Sequence, residues 1–303
     1  MERFGEAAAF GTAVFWTASA LVFEGASKRI GALAVNFYKV VGAFVLLCVA
    51  GLATRGLLLP LDAPPRSWVF LSLSGLIGFV IADYFLFTAY VMIGSRVTVV
   101  FQALTPLFTA GFGWLLLGED MDPRSIAGMG TVVAGILLLV VARNRKRGQA
   151  DPGAKRQEQG ARGYVFAFLS SVFQALGLIT SKLGLTGIDA IPATQIRVLV
   201  AILGFGLQAV LLRRSRSVFV DALRDVKAMR TVAAGAVVGP FLGVVLSLYA
   251  LQHTSAGTAS TLMALTPVLI IPPSILIFKQ KAAPLEILGA AIAVAGTAMF
   301  FLL

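Results

Sequence analysis

The sequence is poor in charged residues, in cysteine and in histidine. Asp, Glu, Lys and Arg make up 13% of its 303 residues, against about 25% in an average soluble protein, and 58% of the residues are apolar. An ordinary soluble enzyme or binding domain is therefore excluded. The single cysteine, Cys48, leaves nothing from which to build a disulfide framework or a cysteine metal site. With one histidine, His253, we predict no metal site and no cofactor.

Long apolar stretches take up most of the chain. They are about 20 to 25 residues long, which matches the roughly 20 residues that cross a hydrocarbon core of about 30 Å. We therefore predict an all-α integral membrane protein with ten transmembrane helices. We expect the first to be a span rather than a cleaved signal peptide, because the residues before it carry no net positive side-chain charge. The predicted spans are 5–26, 31–53, 67–89, 96–117, 124–142, 163–184, 190–212, 230–252, 255–278 and 284–303.

A polar run at 143–162 divides the predicted spans into five and five, and the two groups are similar in sequence. Residues 103–106 read Ala-Leu-Thr-Pro, and so do residues 264–267, at an offset of 161. Lys39 and Arg197 match at an offset of 158, in the second and seventh spans. A unit with an odd number of spans reverses direction, so we predict two inverted five-helix repeats. The predicted units are 1–142, the cytoplasmic linker 143–162, and 163–303.

The Lys and Arg residues lie unevenly on the two sides of the predicted spans. Eighteen of the 25 lie in the connections after the odd-numbered spans, whereas four lie on the opposite side. Because positively charged connections stay in the cytoplasm, we predict a multi-pass protein of a bacterial-type inner membrane whose two termini face the periplasm. The net charge of +11 then reflects topology and contact with the inner leaflet, so no nucleic acid partner is expected.

Several short motifs in both halves resemble those of the EamA branch of the drug/metabolite transporter superfamily. They are Leu104-Thr105-Pro106, Leu117-Gly118-Glu119, Ala127-Gly128 and Gly135 in the first half, and Leu265-Thr266-Pro267, Gly289 and Gly296 in the second. The resemblance covers nearly the whole chain and implies ten helices made by duplicating a five-helix unit. It departs at Gln280, where the family often has an acidic residue like Glu119. Within the family, the chain is similar to YddG-type exporters of aromatic and other amino acids.

Charged side chains inside the predicted spans are candidates for transport, because they are costly in lipid and therefore face the bundle interior. Three in the cytoplasmic half form either an ion-paired scaffold or a contact for substrate or protons. These three are Lys39 and its possible ion-pair partners Glu24 and Asp83. Arg197 and Lys182 lie in the outer half, where Glu119 is the nearest expected partner. An unmatched guanidinium can bind a substrate carboxylate bidentately, and the alternative is snorkelling to the interface, above all for Lys182.

Polar stripes at helical spacing mark the faces that are predicted to line a central cavity. The alternative is ordinary interhelical hydrogen bonding, worth about 0.6 kcal/mol for each bond. The stripes are Thr12, Trp16, Ser19 and Phe23; Ser170, Gln174, Gly177 and Ser181; and Thr98, Gln102, Thr105 and Thr109. The fifth and tenth spans carry few polar side chains and are expected at the periphery. The predicted substrate-binding residues are Trp16, Lys39, Gln102, Thr105, Gln174, Arg197 and Tyr249, and the predicted hinges are Pro106 and Pro267.

These features predict a secondary transporter that exports small metabolites, most of all amino acids with aromatic or other apolar side chains, by alternating access. ATP drive from this chain is not expected, because no G-x-x-x-x-G-K-[ST] pattern is present. Carriers of sugars, nucleotide sugars or cationic drugs are alternatives, as are a channel and, in another class, a membrane-embedded transferase. We expect no enzyme, since one His and one Cys supply no acid/base or metal cluster. The expected partners are a small-molecule substrate and the lipid bilayer, and no obligate protein partner is evident.

Overall fold

The structure is a computed structural model that describes residues 2–86, 88, 89, 92, 101, 102, 104–120, 122–148, 160–269, 272 and 284–302. All regular structure in these ranges is helical. The helices are α1 (Glu2–Ile30), α2 (Ala32–Arg55), α3 (Pro65–Leu86), α4 (Thr105–Leu117), α5 (Pro123–Gly148), α6 (Gly160–Gly184), α7 (Ala190–Leu211), α8 (Val226–His253), α9 (Ala256–Met263) and α10 (Pro284–Leu302). A short helical segment, 217–224, connects α7 to α8, and one turn, Thr266–Leu269, follows α9. Thr98, Gln280, linker residues 149–159 and the side chains of Glu24 and Pro267 lie outside the described residues.

Within the described ranges, five helices are long and apolar enough to cross a membrane: α2, α3, α6, α7 and α8. The ends of several of the ten helices follow from local chemistry. Prolines occupy the first helical position of α3, α5 and α10, where no backbone N–H is required. Gly56 and Gly118 end α2 and α4 in the left-handed conformation, with φ of 69° and 64°.

The predicted linker over 143–162 is helical at both of its ends. α5 continues past residue 142 to Gly148, and α6 begins at Gly160. The residues that follow 142 include Arg143, Arg145 and Lys146, which are good helix formers. Positive charge at a helix C-terminus also interacts favourably with the helix dipole. A polar composition therefore ended the predicted span, but it did not end the helix.

Helices from the two halves of the chain pack on one another. α1 packs on α8 and α9, α2 on α7 and α8, α3 on α6 and α7, and α4 on α6 and α9. α5 and α10 pack chiefly on each other, in agreement with the expected peripheral position of the fifth and tenth spans. Gly135 and Gly296 make that contact possible, since a Cβ on Gly296 would lie 2.7 Å from the backbone nitrogen of Val132.

Two helical regions are interrupted at the repeated Thr-Pro motif. Leu104 N–H donates to Phe101 O at 2.9 Å, three residues back, instead of four. Its repeat equivalent, Leu265, donates in the same way to Leu262 O at 3.2 Å. Because proline lacks an N–H, the helix cannot maintain its regular ladder there. The interruption is therefore a shared feature of both halves.

α3 and α8 each contain a π-helical turn that was not predicted. The turns are Leu76–Ile81 and Val237–Gly243, which correspond at the repeat offset of 161. In each helix a backbone N–H donates to the carbonyl five residues back, from Ala82 to Ile77 and from Val244 to Gly239. Such turns widen a helix locally and occur often at functional sites.

Candidate substrate-binding site

The π-helical turn of α3 lies between two basic side chains from neighbouring helices. On one side, Lys39 of α2 approaches Asp83, which follows the turn, with 3.6 Å between Nζ and Oδ2. The two side chains are only 16% and 11% exposed. Lys39 Nζ also lies 5.8 Å from the centre of the Phe23 ring of α1, within the range of a cation–π interaction. The structure thus brings together two of the three charged groups expected in the cytoplasmic half.

On the other side of the turn, Arg197 of α7 is buried, with 5% of its surface exposed. Its guanidinium carbon lies 5.0 Å from the centre of the Phe79 ring. Arg197 forms no ion pair with any described residue, and its Nε has no hydrogen-bond partner there. Among the described residues, this buried positive charge therefore contacts an aromatic face and no carboxylate.

Glycines on α3 allow α7 to come this close. A Cβ on Gly75 would lie 2.6 Å from the backbone oxygen of Arg197, and one on Gly78 would lie 3.5 Å from its Nη2. Gly78 also packs on Gly177 of α6, where its own Cβ would lie 3.3 Å from the Gly177 Cα. The position of the guanidinium therefore depends on two residues without side chains.

The predicted polar stripe of the fourth span contacts α6. Gln102 Nε2 donates to Ser170 Oγ at 2.5 Å, and Thr105 Oγ1 donates to Gln102 Oε1 at 3.3 Å. Ser171 Oγ donates to Phe101 O at 2.7 Å, at the interruption that precedes α4. These hydrogen bonds join α6 to the interrupted helix and satisfy part of its backbone. Two candidate binding residues, Gln102 and Thr105, are thus adjacent to each other.

The stripes of α1 and α6 face the bundle interior at equivalent contacts. On α1, Thr12 and Ser19 are buried, and a Cβ on Gly243 of α8 would lie 2.8 Å from the Trp16 ring. On α6, Ser181 Oγ lies 2.6 Å from Ser74 Oγ of α3. At the offsets of 158 and 161, the Ser181–Ser74 contact corresponds to the contact of Phe23 of α1 with Gly235 of α8. The remaining candidate on this face, Gln174, is half-buried.

Near the C-terminal end of α6, Lys182 forms a second ion pair, with Glu119. Lys182 Nζ lies 2.5 Å from Glu119 Oε1 and donates to Thr254 O at 2.6 Å. Glu119 Oε2 accepts from the backbone N–H of Ala256, at the start of α9. Four helices are thereby tied together at this end. The prediction that Glu119 is the nearest partner of both outer cations is correct for Lys182 and wrong for Arg197.

Tyr249 is the most exposed of the seven candidate binding residues. It is 38% exposed, and its ring stacks on His253 with 4.1 Å between the ring centres. His253 lines a depression of about 450 Å³ with Lys182, Asp189 and Gln252, and Tyr249 does not.

The sequence did not predict that Phe79 and Gly75 contact Arg197, because neither is polar and neither forms part of a recognisable motif.

Comparison with known proteins identifies the chain's relatives. A solved structure described as "Crystal structure of protein" matches with a TM-score of 0.73 and 18% identity, covering 98% of this chain and 96% of its own, which shows the fold alone. An "Uncharacterized transporter in cobO 3'region" from Sinorhizobium sp is 29% identical over 136 residues, which are 42% of this chain and 95% of that protein. The model of the EamA-like transporter family matches twice, at residues 3–141 and 161–302. These two matches span most of the sequence, and the chain therefore belongs to the EamA-like transporter family of multi-pass membrane transporters.

Proposed function

We propose that the chain exports small metabolites with a carboxylate group, most of all amino acids with aromatic or other apolar side chains, by alternating access. The observation that carries this proposal is the buried guanidinium of Arg197, which has no acidic partner among the described residues. Burying a charge without a counter-charge costs free energy on the order of several kcal/mol. A substrate carboxylate would neutralise it through two parallel hydrogen bonds.

The neighbouring groups favour a zwitterion with an apolar side chain. Asp83 follows Phe79 by one helical turn, about 6 Å along the axis of α3, so an ammonium group bound beside Arg197 would share the Asp83 carboxylate with Lys39. The Phe79 ring provides an apolar surface beside the guanidinium. In the described part of the spans, the acidic Asp83 is paired whereas the basic Arg197 is not, which favours a carboxylate over a cationic drug.

We propose in addition that the chain contains two inverted five-helix units, with both termini in the periplasm and the linker in the cytoplasm. The two separate family matches, at 3–141 and 161–302, support the duplication. The corresponding π-helical turns and the corresponding interruptions before the Thr-Pro motifs support it as well. Transporters built from such repeats bind substrate near the midplane, beside discontinuous helices.

Alternating access needs places where helices bend and contacts that close one side. The interruptions before Pro106 and Pro267 are proposed as the bending points, because helices without a regular hydrogen-bond ladder deform with little penalty. The Lys182–Glu119 pair is proposed as a contact that holds the periplasmic side closed. Its carboxylate also accepts the first N–H of α9, so opening this side requires that a single residue release two partners.

Counterflow exchange in proteoliposomes made from the pure protein tests the function. We expect radiolabelled aromatic amino acids to exchange. A carboxylic acid that lacks the ammonium group should compete, and an amine that lacks the carboxylate should not. Exposed Arg124 supplies a control, since Arg124→Gln should leave exchange unchanged. Equal competition by the amine, or exchange of sugars in place of amino acids, would contradict the proposal and favour the alternative carriers.

A further inference from the structure

The connection between α7 and α8 has exposed apolar side chains where a water-facing loop would be polar. In segment 217–224, Val218 and Ala222 are buried against the bundle, at 2% and 3% exposure. On the other face, Val220 and Leu223 are 47% and 52% exposed. The segment therefore has apolar side chains on two faces, one packed on the protein and the other exposed.

Exposed basic side chains flank this apolar face on both sides. They are Arg213, Arg214 and Arg216 before it, and Arg224, Lys227 and Arg230 after it. Two acidic residues lie among them, and one of these, Asp225, is already engaged by Arg29 of α1 at 2.8 Å. The other, Asp221, lies 4.0 Å from Arg224. The surface formed by residues 211–230, here called the basic surface, is therefore strongly positive.

At the end of α7, an arginine adopts a backbone conformation that favours glycine. Arg213 has φ of 54°, in the left-handed region. Arg214 N–H donates to Ala209 O at 2.8 Å and Arg213 N–H to Val210 O at 3.0 Å, which is the hydrogen-bond pattern of a Schellman cap. Glycine adopts this conformation without strain. A positive side chain is thus present at a position where it is conformationally unfavourable.

The basic surface is attached to the helices of the candidate site. Phe219 packs edge-on against Phe37 of α2, with 5.1 Å between ring centres, two residues before Lys39. Asp225 receives two hydrogen bonds from Arg29, at the end of α1, and caps α8 by accepting from Ala228 N–H. Whatever binds this surface therefore contacts elements connected to α1, α2 and α8.

We propose that the basic surface binds the anionic phospholipids of the surrounding membrane. Phosphate oxygens accept hydrogen bonds from the arginines, while Val220 and Leu223 contact the upper part of the acyl chains. Charge complementarity selects an anionic partner, and the exposed apolar side chains between the arginines favour a lipid over a nucleic acid. This inference does not depend on the identity of the transported substrate.

Thermal unfolding of the full chain in neutral detergent tests the proposal. Phosphatidylglycerol is expected to raise the unfolding midpoint above that measured with the same amount of phosphatidylcholine. The triple variant Arg213→Gln, Arg214→Gln, Arg216→Gln should lose this difference, and the corresponding triple lysine variant should retain it. The control variant Arg3→Gln, Arg124→Gln, which removes two exposed charges elsewhere, should respond like the natural sequence.

Two further ligands identify the source of the anion. Glycerol phosphate, which has the headgroup chemistry without acyl chains, should give a much smaller shift. Leu223→Ser should reduce the phosphatidylglycerol shift without changing the response to glycerol phosphate. An undiminished lipid shift in the triple glutamine variant would overturn the proposal. So would an equal shift with glycerol phosphate, or a larger one with a short oligonucleotide.

Discussion

The guanidinium carbon of Arg197 lies 5.0 Å from the centre of the Phe79 ring, which belongs to the π-helical turn of α3. The charge is therefore stabilised by an aromatic face from a helix whose local geometry is irregular. Such an interaction is worth about 2 kcal/mol when desolvated, which is less than the cost of burying an unpaired cation. The remaining unfavourable energy makes this position receptive to an anion.

Replacing Arg197 with glutamine should impair transport while preserving the fold. A hydrogen bond to a charged group contributes about 1.5 to 3 kcal/mol, so the apparent affinity for an amino acid should fall about 10-fold to 100-fold. The melting temperature should not decrease, because the variant removes a buried charge that has no acidic partner among the described residues. Counterflow exchange over a range of substrate concentrations measures the first effect, and thermal unfolding measures the second.

Arg197→Lys separates charge from geometry. Lysine provides a positive charge but cannot hold a carboxylate with a planar pair of N–H groups. We therefore expect an affinity between those of the natural protein and the glutamine variant. Unchanged exchange in both variants, with normal incorporation into vesicles, would remove Arg197 from the site.

Lys39 and Asp83 should depend on each other. Removing one partner of a buried pair leaves an uncompensated charge and typically destabilises a protein by about 3 to 5 kcal/mol. We expect Lys39→Gln and Asp83→Asn each to lower the melting temperature, and the double variant to recover much of the loss. A double-mutant cycle of unfolding midpoints checks this, and additive single effects would show that the 3.6 Å contact contributes nothing.

The pairing of Lys39 with Asp83 could be predicted from sequence, but the surroundings of Arg197 could not. Apolar length locates a residue along the membrane normal, and this was enough to place Lys39 and Asp83 together. It does not determine the direction in which a side chain leaves its helix. For that reason Glu119 was expected to serve both outer cations, although it contacts only Lys182.

The two types of helix irregularity also differ in whether the sequence could predict them. The interruption before Pro106 could be predicted, because a missing N–H is a local chemical property. The π-helical turn Leu76–Ile81 is an unbroken apolar run apart from one glycine, and nothing in its composition distinguishes it from a regular helix. Its position follows from packing against α6 and α7, which depends on residues distant in sequence.

Two glycine substitutions should have opposite effects on stability. In Gly75→Ala the new Cβ would lie 2.6 Å from the backbone oxygen of Arg197, so α7 must move away. We expect the free energy of unfolding to fall by about 1 to 3 kcal/mol, typical of overpacking, together with reduced exchange.

Gly111 in α4 has nothing within 4 Å of the corresponding position. Gly111→Ala should therefore be neutral or stabilise by about 0.5 to 1 kcal/mol. Thermal unfolding of both variants distinguishes the two outcomes, and equal effects would contradict the close approach.

Labelling with a membrane-impermeant thiol reagent should show that both termini face the periplasm. The background lacks Cys48, and single cysteines are introduced at Gly148 or added at the C-terminus. We expect the C-terminal cysteine to react in intact cells and the Gly148→Cys variant to react only after the membrane is permeabilised. The reverse pattern would contradict the topology that the eighteen-to-four distribution of Lys and Arg predicts.

The pair formed by Arg29 and Asp225 should make stability depend on pH in the acid range. The hydrogen bonds from Arg29, and then the bond from the Ala228 backbone N–H, hold the pKa of Asp225 below its usual range. A lowered folded-state pKa means that the carboxylate stabilises the folded state above the unfolded pKa of about 3.9. That contribution is lost as the pH falls through the lowered folded-state value.

The difference in melting temperature between the natural protein and Asp225→Asn should therefore be constant near neutral pH and shrink below about pH 4. Arg29→Gln should shift this loss toward higher pH, because the group that chiefly lowers the pKa is gone. A difference that stays constant down to pH values well below 4 would show that the carboxylate charge does not stabilise the fold.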